Sequence, residues 1–214
     1  MPDALSRRRL LATTLAAAPL ADCGNSRPWH DIDVSGALPA LDLTMRRAPG
    51  GAVFTQADVR GKVALLYFGY TYCPDVCPLT LQHLAMVLAR MGPVSADVRV
   101  LFVTVDPNRD TLAELGRYVA LFGPGIIGLR GTPDGLGRLA RRYRVAYSVT
   151  PPGGGHGYEV THSSAIYAFD RTGAARLLIP SMASSAPDIA GVAADLGRLV
   201  HERPSLLRRV EALV

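Results

Sequence analysis

Cys73-Pro74-Asp75-Val76-Cys77 is the segment of this sequence best equipped for chemistry. Two thiols four positions apart on one helical turn have Cβ atoms about 5–6 Å apart, so two thiolates can converge on one soft ion. A helix beginning at this pair favours negative charge in its first turn, which predicts that both thiols ionise more easily than a free cysteine. Pro78 suits that first turn, where its missing N–H costs nothing. Thiolates select Cu(I), and an added imidazole widens the choice to Cu(II) or zinc. A disulfide needs Cα atoms about 4.4–6.8 Å apart, and this spacing permits one too. Redox chemistry and metal binding are both open on the cysteines alone.

The elements that would position these residues follow from hydrophobic pattern and turn signals. Val63 to Phe68 is an unbroken apolar run between Gly61-Lys62 and Gly69, the pattern of a strand buried on both faces. The cysteine loop follows it, then a helix with Leu79, Leu84, Val87 and Leu88 at helical spacing, stopped by Gly92-Pro93. Val98 to Val105 is a second buried strand. Thr111 and Glu114 form a capping box for a helix to about Phe122. Ile126 to Leu129 reads as a short strand, and Pro133 to Tyr143 as a helix with Leu136, Leu139 and Ala140 inward. A hairpin turning at Ala48-Pro49-Gly50-Gly51 precedes all of these. Thr150 to Gly155 is an excursion rich in proline and glycine. Ser163 to Phe169 and Ala174 to Ile179 form a second hairpin around Asp170-Arg171-Thr172-Gly173, and Ala186 to about Val200 is the closing helix.

Crossover helices imply parallel strands, and the late tight turn implies an antiparallel pair. The expected fold is therefore α/β, a thioredoxin-like three-layer sandwich with a mixed central sheet. Ligands in such sheets gather beyond the carboxyl ends of the parallel strands, where Cys73 and Cys77 fall. His162 lies 85 residues after Cys77, just before a strand of the late hairpin, in a loop this fold brings opposite the cysteines. It is the expected third ligand. His83, inside the first helix, and His201, near the C-terminus, read as packed or surface residues. His156 sits in the glycine-rich excursion. Met86, Met91 and Met182 lack Met-rich spacing.

Composition narrows the setting. The chain has 214 residues, enough for one substantial domain and too few for two ordinary ones. Its net charge of +5 comes partly from Arg7, Arg8 and Arg9, and the other arginines are scattered, which argues against a nucleic-acid surface. Residues 1–22 read as an export signal, with Ser6-Arg7-Arg8-Arg9 similar to a twin-arginine motif ahead of an apolar stretch too short for a membrane anchor. Leu20-Ala21-Asp22-Cys23 resembles a lipoprotein processing site, so Cys23 is either a lipid attachment point or an incidental cysteine beyond a cleaved signal. The expected location is the periplasm or the outer face of the cytoplasmic membrane. Residues 23–38 read as a linker in which Trp29 and His30 pack loosely. Residues 39–203 form the expected copper-binding domain, and 204–214 a C-terminal extension. Cys73 and Cys77 are then the only cysteines of the folded part, too close in sequence to act as a structural staple.

The run Tyr67-Phe68-Gly69-Tyr70-Thr71-Tyr72-Cys73-Pro74-Asp75-Val76-Cys77-Pro78 resembles the signature of the Sco/SenC family. Val105-Asp106-Pro107-Asn108-Arg109-Asp110-Thr111 and Thr161-His162-Ser163-Ser164 are similar to its second and third motifs. The resemblance runs from about Leu38 to Leu199. It implies copper delivery to the binuclear copper centre of cytochrome c oxidase or to related exported copper proteins. It also implies that Cys73, Cys77 and His162 are the copper ligands. The second reading is an enzyme, a thiol–disulfide reductase that cycles a Cys73–Cys77 disulfide to keep the cysteines of an acceptor copper site reduced. The three-residue spacing and the presence of His162 favour copper. Asp75 is expected to satisfy backbone N–H groups of its turn or tune thiol acidity. Asp106 is either a turn residue or a partner contact, and Arg109 a solvated face.

Overall fold

The structure, a computed structural model, describes residues 28–150 and 158–202. The export-signal, Cys23, His156 and C-terminal-extension expectations lie outside those residues. Three parallel strands form the centre of an eight-stranded sheet: β4 (Val63–Gly69), β5 (Val98–Thr104) and β6 (Ile126–Arg130). Each is nearly or wholly buried, as a strand covered on both faces must be. On β4, Val63, Leu65 and Tyr67 enter one core, while Ala64, Leu66 and Phe68 enter the other. The alternation of a strand thus feeds both faces.

Antiparallel strands complete the sheet on both sides. β9 (Ile166–Phe169) pairs with β4, and β10 (Ala175–Ile179) pairs with β9. The early hairpin, β2 (Thr44–Arg47) and β3 (Val53–Thr55), extends the opposite edge beyond β6. Helices α1 (Val76–Met91), α2 (Leu112–Ala120) and α4 (Ile189–His201) pack on one face, through residues such as Leu84, Leu115 and Leu196. Helix α3 (Pro133–Arg142) covers the other through Leu136, Leu139 and Ala140. This is the expected thioredoxin-like three-layer α/β sandwich with a mixed sheet.

Local signals act as read. Thr111 and Glu114 close the capping box of α2, and α3 begins at Pro133, with Thr132, which sequence reasoning does not single out, as its cap. Gly92 ends α1 with a positive φ of 59°, open to glycine at little cost. Two differences stand out. The segment expected as a linker is docked: β1 (Ile32–Asp33) pairs with β10, and the Arg198 guanidinium lies 3.7 Å from the centroid of the Trp29 ring. The buried Asp195 carboxylate accepts the N–H groups of both His30 and Asp31, which anchors the segment. Secondly, Tyr147–Thr150 (β7) and Glu159–His162 (β8) form a hairpin of their own, apart from the main sheet. Polar and apolar residues there give no strand signal strong enough to separate it from the glycine-rich excursion.

Candidate metal centre

The chain leaves the sheet at Gly69, where a side chain has no room. A Cβ there would sit 2.5 Å from Phe102 Cε2 and 3.0 Å from Cys77 Sγ. The loop 70–75 then leads into α1, whose first turn holds Cys77, fully buried. Cys73 is not on that helical turn, contrary to the i,i+4 expectation. It lies in the loop upstream, half-buried, and its sulfur accepts the Cys77 N–H at 3.4 Å. Sulfur here takes a donor that a capping oxygen would otherwise take. Asp75 occupies the N-cap position, but its exposed carboxylate makes no capping bond, so the expected backbone role is not realised.

Burial reverses the expected acidity of Cys77. Removal from water disfavours the thiolate and pushes the thiol up to about 12; a Tyr70 backbone hydrogen bond opposes this, and the nearby Cys73 sulfur adds to it. The helix terminus does not offset that desolvation. Metal uptake by this sulfur therefore displaces a proton.

His162 is the last residue of β8, rather than a loop residue as expected. Its Nδ1 lies 2.9 Å from the Ser163 carbonyl oxygen, which can only accept, so Nδ1 carries the proton. Nε2 then turns its lone pair to the Cys77 thiol, 3.3 Å from Sγ, and can accept its S–H. Burial holds the imidazole below its ordinary pKa, which keeps it neutral, with the Ser163 bond acting the other way. The rings of Tyr67 and Tyr70 stand edge-on to it, with centroids 6.2 and 5.8 Å away. The donor atoms of Cys73, Cys77 and His162 all lie within 4.8 Å of one another, and no other such group of three occurs among the described residues. Two sulfurs and one imidazole nitrogen suit a soft or borderline ion, copper above all.

The second motif packs beneath the site. Asp106 is fully buried and accepts the Tyr158 hydroxyl at 2.5 Å and the Arg109 Nε–H. Its carboxylate therefore faces inward and not towards a partner. Arg109 is no solvated face either: its guanidinium lies 3.9 Å from the Tyr158 ring centroid and 4.8 Å from that of Tyr72. Asp110, also buried, accepts from Thr71 and Thr104. Sequence reasoning does not single out Tyr158 or Asp110. Asp110 sits within the second motif, whereas Tyr158 follows the glycines with no periodic signal. Two other histidines stay structural: His83 Nδ1 bonds the Met182 carbonyl at 2.9 Å, and His201 is exposed on α4. Met182 is buried in the core, while Met86 is half exposed.

The SCO1/SenC family model matches residues 48–198. The mitochondrial SCO2 homolog of Bos taurus is 45% identical over 119 residues, 55% of this chain and 45% of that protein. A SCO2-like protein of Rickettsia prowazekii is 31% identical over 166 residues, 77% of each. Among solved structures, Bradyrhizobium japonicum ScoI with copper bound superposes with a TM-score of 0.65 at 34% identity, covering 75% of this chain and 99% of that one. The chain spans about half the length of the mitochondrial relatives it matches. Among the described residues no helix is long and apolar enough to cross a membrane.

Proposed function

This chain belongs to the SCO1/SenC family, and from that premise we propose that it is a copper metallochaperone. Its cargo is one copper ion held by Cys73, Cys77 and His162. Its acceptor is the binuclear copper site of cytochrome c oxidase or a related exported copper protein. The observation that carries the reading is the placement of His162, whose Nδ1 lies 2.9 Å from the Ser163 carbonyl oxygen while its Nε2 faces the Cys77 sulfur at 3.3 Å. A hydrogen-bonded outer partner of this kind orients a ligating imidazole and raises its basicity. A similar protein solved with copper bound supports the choice of metal.

Each residue has a share in the transfer. Cys77 and His162 are the inner ligands, one fully buried and the other half-buried. Cys73 is the more accessible sulfur and the first that an acceptor ligand would meet. Three protein donors leave a coordination position for an incoming thiolate or imidazole, so cargo can pass without first becoming free. Residues 1–22 direct the protein out of the cytoplasm, and Cys23 is either a lipid attachment point or an incidental cysteine beyond a cleaved signal.

The alternative is a thiol–disulfide reductase. In it the Cys73 thiolate attacks a disulfide of the acceptor, forming a mixed disulfide and releasing one acceptor thiolate. The Cys77 sulfur then attacks Cys73, so the acceptor leaves reduced by two electrons and Cys73–Cys77 ends as a disulfide. The proximity of the two sulfurs favours this reading too. The strongly raised Cys77 thiol slows its second step and leaves copper as the first choice.

Titration of the reduced protein with Cu(I) and then Cu(II), beside His162→Ala, tests the proposal. One copper per chain is expected, with an intense thiolate–Cu(II) absorption band that weakens or shifts in the variant. Equal Cu(II) affinity in the two proteins removes His162 from the site. Rapid reduction of a model disulfide, with no copper bound, supports the enzyme instead.

A further inference from the structure

The strand that carries His162 is not part of the central sheet. Its backbone partner is β7, itself outside the main sheet, and Ser163 N–H bonds back to the Ala146 carbonyl at 3.1 Å. The cysteine loop, by contrast, hangs from the end of β4. Two chain segments of independent origin must therefore be held in register if the imidazole is to face both sulfurs. The loop 105–111 touches both.

On its histidine side, Asp106 accepts the Tyr158 hydroxyl at 2.5 Å. Arg109 donates Nε–H to the same carboxylate and lays its guanidinium 3.9 Å from the Tyr158 ring centroid. Tyr158 is four residues ahead of His162, immediately before β8. On its cysteine side, Asp110 accepts from Thr71 N at 3.0 Å and from Thr71 Oγ1 at 2.6 Å, two residues ahead of Cys73. Thr104 Oγ1 donates to that same carboxylate at 2.5 Å and ties it to β5. Both carboxylates are fully buried, and a charged, hydrogen-bonded acceptor in such a setting holds its donors firmly.

We infer that the Asp106–Asp110 loop is the positioning block of the centre, with Asp106 fixing the strand of His162, Asp110 fixing the cysteine loop, and Arg109 lying against Tyr158 on the one side and Tyr72 on the other. These are positioning residues, since none supplies a donor atom to the site. The two grips are separable, because they act through different carboxylates on different segments. The consequence is that each side of the centre can be loosened without the other.

The inference rests on the copper reading only in its second arm. In the first arm, amide hydrogen exchange is followed in the full, reduced, copper-free chain for Tyr158→Phe, Arg109→Met and Thr71→Val. Loss of a hydrogen bond to a charged group should speed exchange about tenfold in the segment it holds. For Tyr158→Phe that segment is 160–163, with 71–77 unchanged; for Thr71→Val it is 71–77, with 160–163 unchanged; Arg109→Met, which removes a guanidinium lying against both Tyr158 and Tyr72, should speed both segments. Equal acceleration of both segments in every variant, or of neither, overturns the inference. Tyr158→Phe removes a single oxygen from a half-buried ring, so it keeps the test open should Arg109→Met fold poorly. In the second arm, Tyr158→Phe should lower Cu(II) affinity about tenfold while leaving Cu(I), held chiefly by sulfur, within about twofold. An equal loss for both oxidation states contradicts a role confined to the histidine side. If neither protein binds copper, the copper reading fails while the exchange result still decides the positioning.

Discussion

Replacing Gly69 by alanine puts a methyl group into a space already filled. The new Cβ would meet Phe102 Cε2 at 2.5 Å, Phe102 Cζ at 3.0 Å and Cys77 Sγ at 3.0 Å. Phe102 cannot swing aside: it is fully buried, with the Tyr67 and Tyr118 rings each centred 5.7 Å away. The strain falls on the end of β4 or on the Cys77 sulfur, and overpacking of this kind costs about 1–3 kcal/mol. For a domain of this size each kcal/mol moves Tm by about 2–4 °C, so Gly69→Ala should melt about 2–12 °C lower. Gly197→Ala is the matched control. It adds the same methyl within α4, where nothing lies within 4 Å, and should stabilise by about 0.5–1 kcal/mol because glycine is a poor helix former. Thermal unfolding of both copper-free variants, followed by circular dichroism, reads the contrast. A Gly69→Ala protein melting at or above the wild-type temperature would refute the packing argument, as would a common sign for the two changes.

Three further changes probe the frame around the site. Burial, together with the Asp195 and Asp188 carboxylates, raises Asp31 from 3.8 to about 7, with His30 acting against them. The native state then holds a proton the unfolded chain has lost, so stability falls as pH rises from about 4 to about 7. Asp31→Asn should therefore gain at least about 1 kcal/mol at pH 8 and nothing near pH 4, as read by urea unfolding; a gain independent of pH contradicts this. Arg176, only 4% exposed, sits between Asp170 and Glu202, and Arg176→Met should cost about 3 kcal/mol in the same assay. Thr111→Ala breaks the capping box of α2 and should cost about 1 kcal/mol, whereas Thr111→Ser should cost far less.

The docked N-terminal segment bears on how the protein presents its site. Trp29 and β1 lie against α4 and β10, on the sheet edge remote from β2 and β3. Any tether attached upstream of residue 28 therefore begins at this edge. Three acidic groups, Asp31, Asp188 and Asp195, crowd the junction, and the charge Asp31 gains above pH 7 loosens it.

Much of this molecule is written in short stretches of chain. The apolar run of β4, the capping boxes, the glycine that stops α1 and the hairpin at Asp170 depend on residues within a few positions of one another, so they are legible in the sequence itself. The cysteine pair and His162 are legible as residue types. The tertiary fold decides how they meet. A local rule places both thiols on one helical turn and makes both acidic; burial in the core beside the end of β4 instead raises Cys77, because desolvation outweighs a helix terminus. Asp106 and Tyr158 are 52 residues apart, and Tyr70 and Val160 are 90 apart. No periodicity links such pairs, since their contact depends on where the sheet sets down distant segments. Chemistry of the donors comes from the sequence alone; their tautomer, burial and register come from packing, which only the folded chain defines.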